Sequence, residues 1–267
     1  MSKCVTVYTQ AYNVENYIEQ CIKSVLSQTF QDFEWILVEN GSTDKTREII
    51  RKYAALDERI KPDYFDVNQD GFTNYYIAEK ADGRYIVKID SDDWIEPEYL
   101  EKLIAPFEDP DVDISICGAV NYEEETGRET PHEYGELDGV YSKSDIEKQF
   151  IEMRSYMGTY WGKMFRREIF CSILPDMKEI GEKLKKGDNF GGDVAFALCY
   201  LGECKKLAFV NERMYHYRIH NNSYATRTIG TNRVFSCLAL RETEHHFLHK
   251  VNAYTEQNDK LNRMVKT

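Results

Sequence analysis

Apolar positions along the first 120 residues follow two periods that alternate. Val5 to Thr9 forms a short run suited to a buried strand. Val14, Tyr17, Ile18, Cys21, Ile22, Val25 and Leu26 then recur three and four apart, the spacing of one helical face, with Asn13 before them as an N-cap residue type. The alternation repeats. FEWILVE (33–39) predicts a second strand, Gly41 to Thr43 a turn and cap, and Ile49, Ile50, Tyr53 and Leu56 a second helix. A third strand is expected near Ile60 to Phe65, then a polar loop around Asn68 to Gly71 and a short helix. RYIVKID (84–90) predicts the clearest strand in the chain. A helix follows it, with Pro97 near its first turn and Leu100, Leu103, Ile104 and Phe107 on its buried face. VDISICGAV (112–120) reads as another strand.

Strand and helix in alternation indicate βαβ units, and so an α/β fold with a mixed, mostly parallel sheet flanked by helices. Residues 120–170 are mixed in pattern, 193–203 read as helix, 205–220 as strand and 231–250 as helix. The charged, glycine-containing stretch 176–191 is expected to be a mobile lid. The organisation predicted is one catalytic unit over 1–225, with a nucleotide-binding half at 1–120 and an acceptor-binding half at 121–225. A C-terminal helical extension is expected at 226–267.

Composition narrows the class. A chain of 267 residues, 42% hydrophobic and 30% charged, can bury a core without covalent staples. No apolar run approaches the ~18 residues of a membrane span. The opening MSKCVTVYTQ has no secretory-signal pattern, and seven cysteines without a CxxC pair argue against a disulfide framework, so a cytoplasmic setting is expected. The net charge of -12 disfavours nucleic acid as a partner. From Lys205 onward the balance is instead basic, which would suit peripheral association with the inner face of a membrane or with a diphosphate, or simply a solvated face. Oligomerisation through the C-terminal helix is a further expectation.

In open α/β sheets, ligands bind beyond the carboxyl ends of the strands. Those ends offer Thr9, Gln10 and Tyr12 after the first strand, Glu39 and Asn40 after the second, and Asp90, Ser91, Asp92 and Asp93 after the fourth. Three carboxylates within four residues repel unless protons or a cation relieve them. Magnesium or manganese typically binds one or two carboxylates together with substrate phosphates, so a divalent cation and a diphosphate fit this cluster. Acids decorating a helix N-terminus would give the same pattern.

VTVYTQAYNVENYIEQCIKSVLSQTFQDFEWILVENGSTDKT and ADGRYIVKIDSDDWIEP together resemble the bacterial family 2 glycosyltransferases of the GT-A fold. YWGKMFRREIF (160–170), GGD (191–193) and YHYRIHNNS (215–223) are similar to further segments of that family, so the resemblance spans most of residues 4–224. It implies an inverting transfer of sugar from a nucleoside diphosphate sugar, of the uridine diphosphate type, to a saccharide or glycolipid hydroxyl in surface polysaccharide or glycoconjugate assembly. Asp90 would then reach the ribose or a metal-bound water, with Thr9, Gln10, Tyr12 and Ser91 beside it, and Glu39 and Asn40 would face the base. Asp92 and His220 would bind manganese or magnesium. Asp193 would be the general base, Trp161 an acceptor-pocket wall and Lys163 its neighbour in acceptor binding. The residues themselves leave alternatives. Asp193 also suits a helix N-cap, Trp161 and the histidines a structural role, and Arg218 and Arg227 either phosphate clamps or surface charge.

The sequence departs from the family pattern at three places. Glu39 and Asn40 stand where an aspartate pair is usual, Gly192 stands where an acid precedes the base, and the segment from Gly71 to Gly83 is short and lacks an arginine. A catalytically silent sugar-nucleotide binder and a sugar nucleotidyltransferase are the rival readings. TQAYNV lacks the glycine-rich loop that the nucleotidyltransferase requires.

Overall fold

The computed structural model describes residues 4–69, 73–132, 138–148, 158–178 and 192–220. Among them, the strands are β1 (Val5–Ala11), β2 (Phe33–Asn40), β3 (Ile60–Phe65), β4 (Tyr85–Lys88), β5 (Trp94–Ile95), β6 (Val112–Glu123), β7 (Arg128–Pro131), β8 (Gly139–Ser142), β9 (Lys163–Arg166) and β10 (Lys206–Ile219). The helices are α1 (Ile18–Leu26), α2 (Thr46–Ala54), α3 (Thr73–Lys80), α4 (Tyr99–Ile104), α5 (Lys143–Lys148), α6 (Arg167–Ser172) and α7 (Gly192–Glu203). All ten strands join one sheet in the order β3-β2-β1-β4-β9-β6-β10-β5, with β7 on β6 and β8 on β10. Strands from both predicted halves of the catalytic unit thus share one sheet. The predicted extension at 226–267 and Arg227 lie outside the described residues. The expected lid is helical at 176–178 and lies outside them from 179 onward.

β1, β2, β3 and β4 are mutually parallel, and their near-continuous apolar runs follow from burial on both faces. Val5, Val7, Trp35, Leu37 and Val87 pack on one face with α1 and α4. Tyr8, Ile36, Val38, Ile86 and Phe165 pack on the other, with Phe196 and Tyr200 of α7. This parity is the strand period of two, projected through the sheet.

β9 is the antiparallel strand in the middle of the sheet, where β5, β7 and β8 are antiparallel additions to β10 and β6. It runs antiparallel between β4 and β6, while β10 runs parallel to β6. The carboxyl ends of β1, β2, β4 and β10 and the amino end of β9 therefore meet at one edge. The first helix begins later than its apolar stripe predicts, at Ile18 with no side-chain cap. Asn13, expected as that cap, has a left-handed φ of 52° and instead accepts the Thr43 N–H at 2.9 Å. Ser42, Thr46 and Asp44 in turn accept the N–H groups of Asn13, Val14 and Glu15. The loops after β1 and β2 are thereby stitched into one rim. Gly41 completes it with φ 77°, and a Cβ there would lie 2.6 Å from the Val67 backbone.

Candidate active site

The acidic loop after β4 is held from β10. The Tyr215 hydroxyl donates to Asp93 Oδ2 at 2.7 Å and accepts the Asp90 N–H at 3.0 Å, while the Arg218 N–H donates to Asp93 Oδ1 at 2.8 Å. Asp93 is thus a buried strut. Burial pushes its pKa well up, and Asp92 and Asp90 add to the rise. Asp92 points elsewhere, with its Oδ2 3.0 Å from His220 Nε2. Burial and the neighbouring Asp90 raise its pKa, and the His220 contact works against them. Asp90 stands 3.1 Å from Lys88 Nζ, and Ser91 is buried next to it.

The β1 and β2 ends are more committed than expected. Thr9 is fully buried and its hydroxyl accepts the Trp35 indole N–H at 3.1 Å, so the side chain belongs to the sheet interior. Glu39 is fully buried too, paired with Arg47 and accepting the Ser42 N–H at 2.5 Å. Asn40 donates to Asn68 Oδ1 at 2.7 Å and accepts the Gln69 N–H at 2.9 Å, which pins the loop after β3. Gln10 is half-buried, and Tyr12 is 43% exposed, an aromatic face open at this edge.

Asp193, in the first turn of α7, stands within electrostatic reach of Asp90. Burial raises its pKa, with Lys88 and Lys163 opposing the rise and Asp90 adding to it. Burial disfavours the Lys88 charge, yet Asp90 and Asp193 outweigh it and its pKa rises. Lys163 is fully buried, donating to Thr159 Oγ1 at 2.8 Å and to the Trp161 carbonyl at 3.1 Å, and burial lowers its pKa to about 7.

Two expectations on the acceptor side change. Trp161 is only 4% exposed, stacked at 4.7 Å on Tyr215 and at 5.3 Å on Tyr217, so it offers no open wall to a sugar. Lys163 is likewise enclosed, and a direct contact with acceptor gives way to a supporting position. Arg218, a phosphate-clamp candidate, is caged instead. Its guanidinium lies 4.8 Å from the Trp94 ring centre and 5.0 Å from that of Tyr17, and donates to the Asp92 carbonyl and to Gln20. His216 stacks on Trp94 and pairs with Glu96 at 2.7 Å, away from Asp92.

One edge of the sheet therefore assembles an acidic loop, a histidine on one of its carboxylates and a further, half-buried carboxylate. The Glycosyl transferase family 2 model matches residues 6–174, which contain the β1, β2 and β4 ends of this edge. The chain belongs to glycosyltransferase family 2.

This glycosyltransferase is 30% identical over 262 residues to the putative glycosyltransferase EpsH of Bacillus subtilis, covering 98% of this chain and 74% of that protein. Its fold is GT-A. S. aureus TarS 1–349 in complex with UDP-GlcNAc superposes with TM-score 0.68 at 20% identity, over 92% of this chain and 66% of that one. The mannosyltransferase PcManGT from Pyrobaculum calidifontis, in complex with GDP-Man and Mn2+, gives 0.56 at 13% identity, over 96% and 74%. No helix among the described residues is long and apolar enough to cross a membrane.

Reading the sequence missed Lys88, Arg47 and Tyr215 as parts of this edge. A lysine ending an apolar strand two residues before Asp90 was the available signal for the first, since positions two apart share a face. The others become visible only through partners 8 to 122 residues away.

Proposed function

We propose that this glycosyltransferase moves a sugar, with inversion at its anomeric carbon, from a uridine diphosphate sugar to a saccharide or glycolipid hydroxyl. The observation that carries the reading is the meeting of Asp193 with the acidic loop at one sheet edge. The donor would lie along the β1, β2 and β4 ends, with Tyr12 and the Glu39–Asn40 rim toward the base and Asp90 and Ser91 toward ribose and diphosphate. Asp193 would take the proton of the acceptor hydroxyl as that oxygen bonds to the anomeric carbon, and the diphosphate would leave from the opposite face. Its raised pKa suits that duty, because a base is most effective when its pKa lies near the working pH.

Uridine is supported by the fold shared with TarS, whose complex holds UDP-GlcNAc. Among the described residues no group of three or more His, Cys, Asp or Glu is arranged to hold a metal. Asp92 Oδ2 and His220 Nε2, 3.0 Å apart, nevertheless form an oxygen and nitrogen donor pair that a diphosphate could complete. A divalent cation bound there would neutralise charge on the departing diphosphate. A divalent cation as such is supported by the fold shared with PcManGT, whose complex holds Mn2+. Residues 1–225 are read as the catalytic unit. A cytoplasmic setting, near the inner membrane face where polysaccharide or glycoconjugate acceptors are assembled, fits this chemistry.

The test is release of free diphosphate from a panel of nucleoside diphosphate sugars with candidate acceptors, in the parent and in Asp193→Asn. The asparagine keeps the shape and capping capacity of the aspartate. Transfer should fall ~10²- to 10⁴-fold with donor affinity nearly intact. Transfer within a few-fold of the parent would place the base elsewhere, and donor binding without any release in the parent would identify a silent binder.

A further inference from the structure

Two lysines occupy neighbouring ends of β4 and β9, Lys88 half-buried and Lys163 fully buried. The antiparallel register pairs Tyr85 with Arg166, Ile86 with Phe165 and Val87 with Met164, which sets Lys88 opposite Lys163 at the next step. Directly opposed residues project from the same face. Here it is the face carrying Ile86, Phe165 and Phe196, the one α7 covers. Asp193 occupies the first turn of that helix.

Like charges directly opposed across a sheet are destabilising, and a buried ammonium without a counter-charge sheds its proton. The pair therefore requires anions. Lys88 finds Asp90 Oδ1 at 3.1 Å. Lys163 is anchored on Thr159 and the Trp161 carbonyl, both uncharged partners. Asp193 interacts electrostatically with both ammonium groups. Lys88 also faces Asp90 and Tyr8, and Lys163 also faces Cys117. The groups facing Asp193 are Lys88 and Asp90 from the end of β4 and Lys163 from β9.

We propose that Lys88 and Lys163 are paired positioning residues for Asp193, a cross-strand floor of two lysines that keeps its carboxylate ionised and turned toward the acceptor. The part this plays in turnover rests on reading Asp193 as the base, whereas the coupling itself does not. Burial alone would leave Asp193 protonated over more of the working range. Each cation beneath it works the other way.

The experiment is a carboxyl ¹³C NMR titration of the intact chain with labelled aspartate, the Asp193 signal being assigned by its loss in Asp193→Asn. Lys88→Met and Lys163→Met are both expected to move the Asp193 titration upward. In transfer assays the acidic limb of the pH profile should move the same way, with a rate about tenfold lower on that limb and regained at higher pH. In Lys163→Met, kcat should respond more than the donor KM, because Lys163 is held at Thr159 and the Trp161 carbonyl and acts on Asp193. Lys163→Gln retains an N–H donor for Thr159 and Trp161 and serves if the methionine variant does not fold. An Asp193 titration unchanged in folded variants of both lysines would overturn the proposal. A shifted titration combined with full activity in Asp193→Asn would place the fault in the base assignment and not in the pair.

Discussion

Tyr215 on β10 and Asp93 in the loop after β4, 122 residues apart in sequence, share a buried hydrogen bond of 2.7 Å. The same hydroxyl accepts the Asp90 N–H, so one phenol sets both the backbone and the last carboxylate of the acidic loop. Tyr215→Phe removes it without opening a large cavity. A buried acceptor left unsatisfied costs about 1–3 kcal/mol. Thermal unfolding should therefore drop by several degrees, and nucleotide-sugar affinity should fall with it as Asp90 and Asp92 lose their placement. A variant with the parent's melting temperature and donor affinity would show that the strut is dispensable.

Asp92 and His220 meet at 3.0 Å and are proposed to receive a divalent cation. Chelation should then weaken binding of the donor sharply. Asp92→Ala should bind it weakly with or without manganese, and His220→Ala should show a smaller loss of the same kind. Calorimetric titrations of the parent that superimpose with and without chelator would refute the metal.

The carboxylates at this sheet edge make stability depend on pH with a definite sign. Asp92, Asp93 and Asp193 all have folded-state pKa values above their ordinary range, first of all through burial. The folded chain thus binds more protons than the unfolded chain between the two values, and stability falls as pH rises through that window. Asp92→Asn should be more stable than the parent at neutral pH and should flatten this slope, with each kcal/mol worth about 2–4 °C at this size. Differential scanning calorimetry from pH 5 to 8 is the check, and a steeper slope in the variant would contradict the account.

Gly41 turns with φ 77° where a Cβ would approach the Val67 backbone to 2.6 Å. Both the conformation and the space exclude a side chain. Gly41→Ala should destabilise the fold by roughly 1–3 kcal/mol and disturb the Asn40 contact with the loop after β3. Denaturant unfolding with an unchanged midpoint would show that the rim can yield at no cost.

Much of the first 120 residues was legible because their signals are local. β1, β2 and β4 are apolar runs, α1 and α2 carry helical stripes, and the acids of the 90–93 loop are consecutive in the chain. The order of β9 was not legible. KMFR has two cations in four residues and no periodicity of its own, and it becomes a central strand because β4 and β6 both pair with it.

The same distinction governs the site residues. By itself the sequence determined that polar groups gather after the apolar strands, since a strand's pattern reports which positions must leave water. Only the tertiary structure decided which of those groups are committed to one another. Thr9 went to Trp35, Glu39 to Arg47 and Trp161 to two tyrosines, while Asp92 met His220. Hydrophobic periodicity specifies a buried face and carries no information about the residue across from it. That partner is fixed by strand order and register, which are properties of the whole sheet.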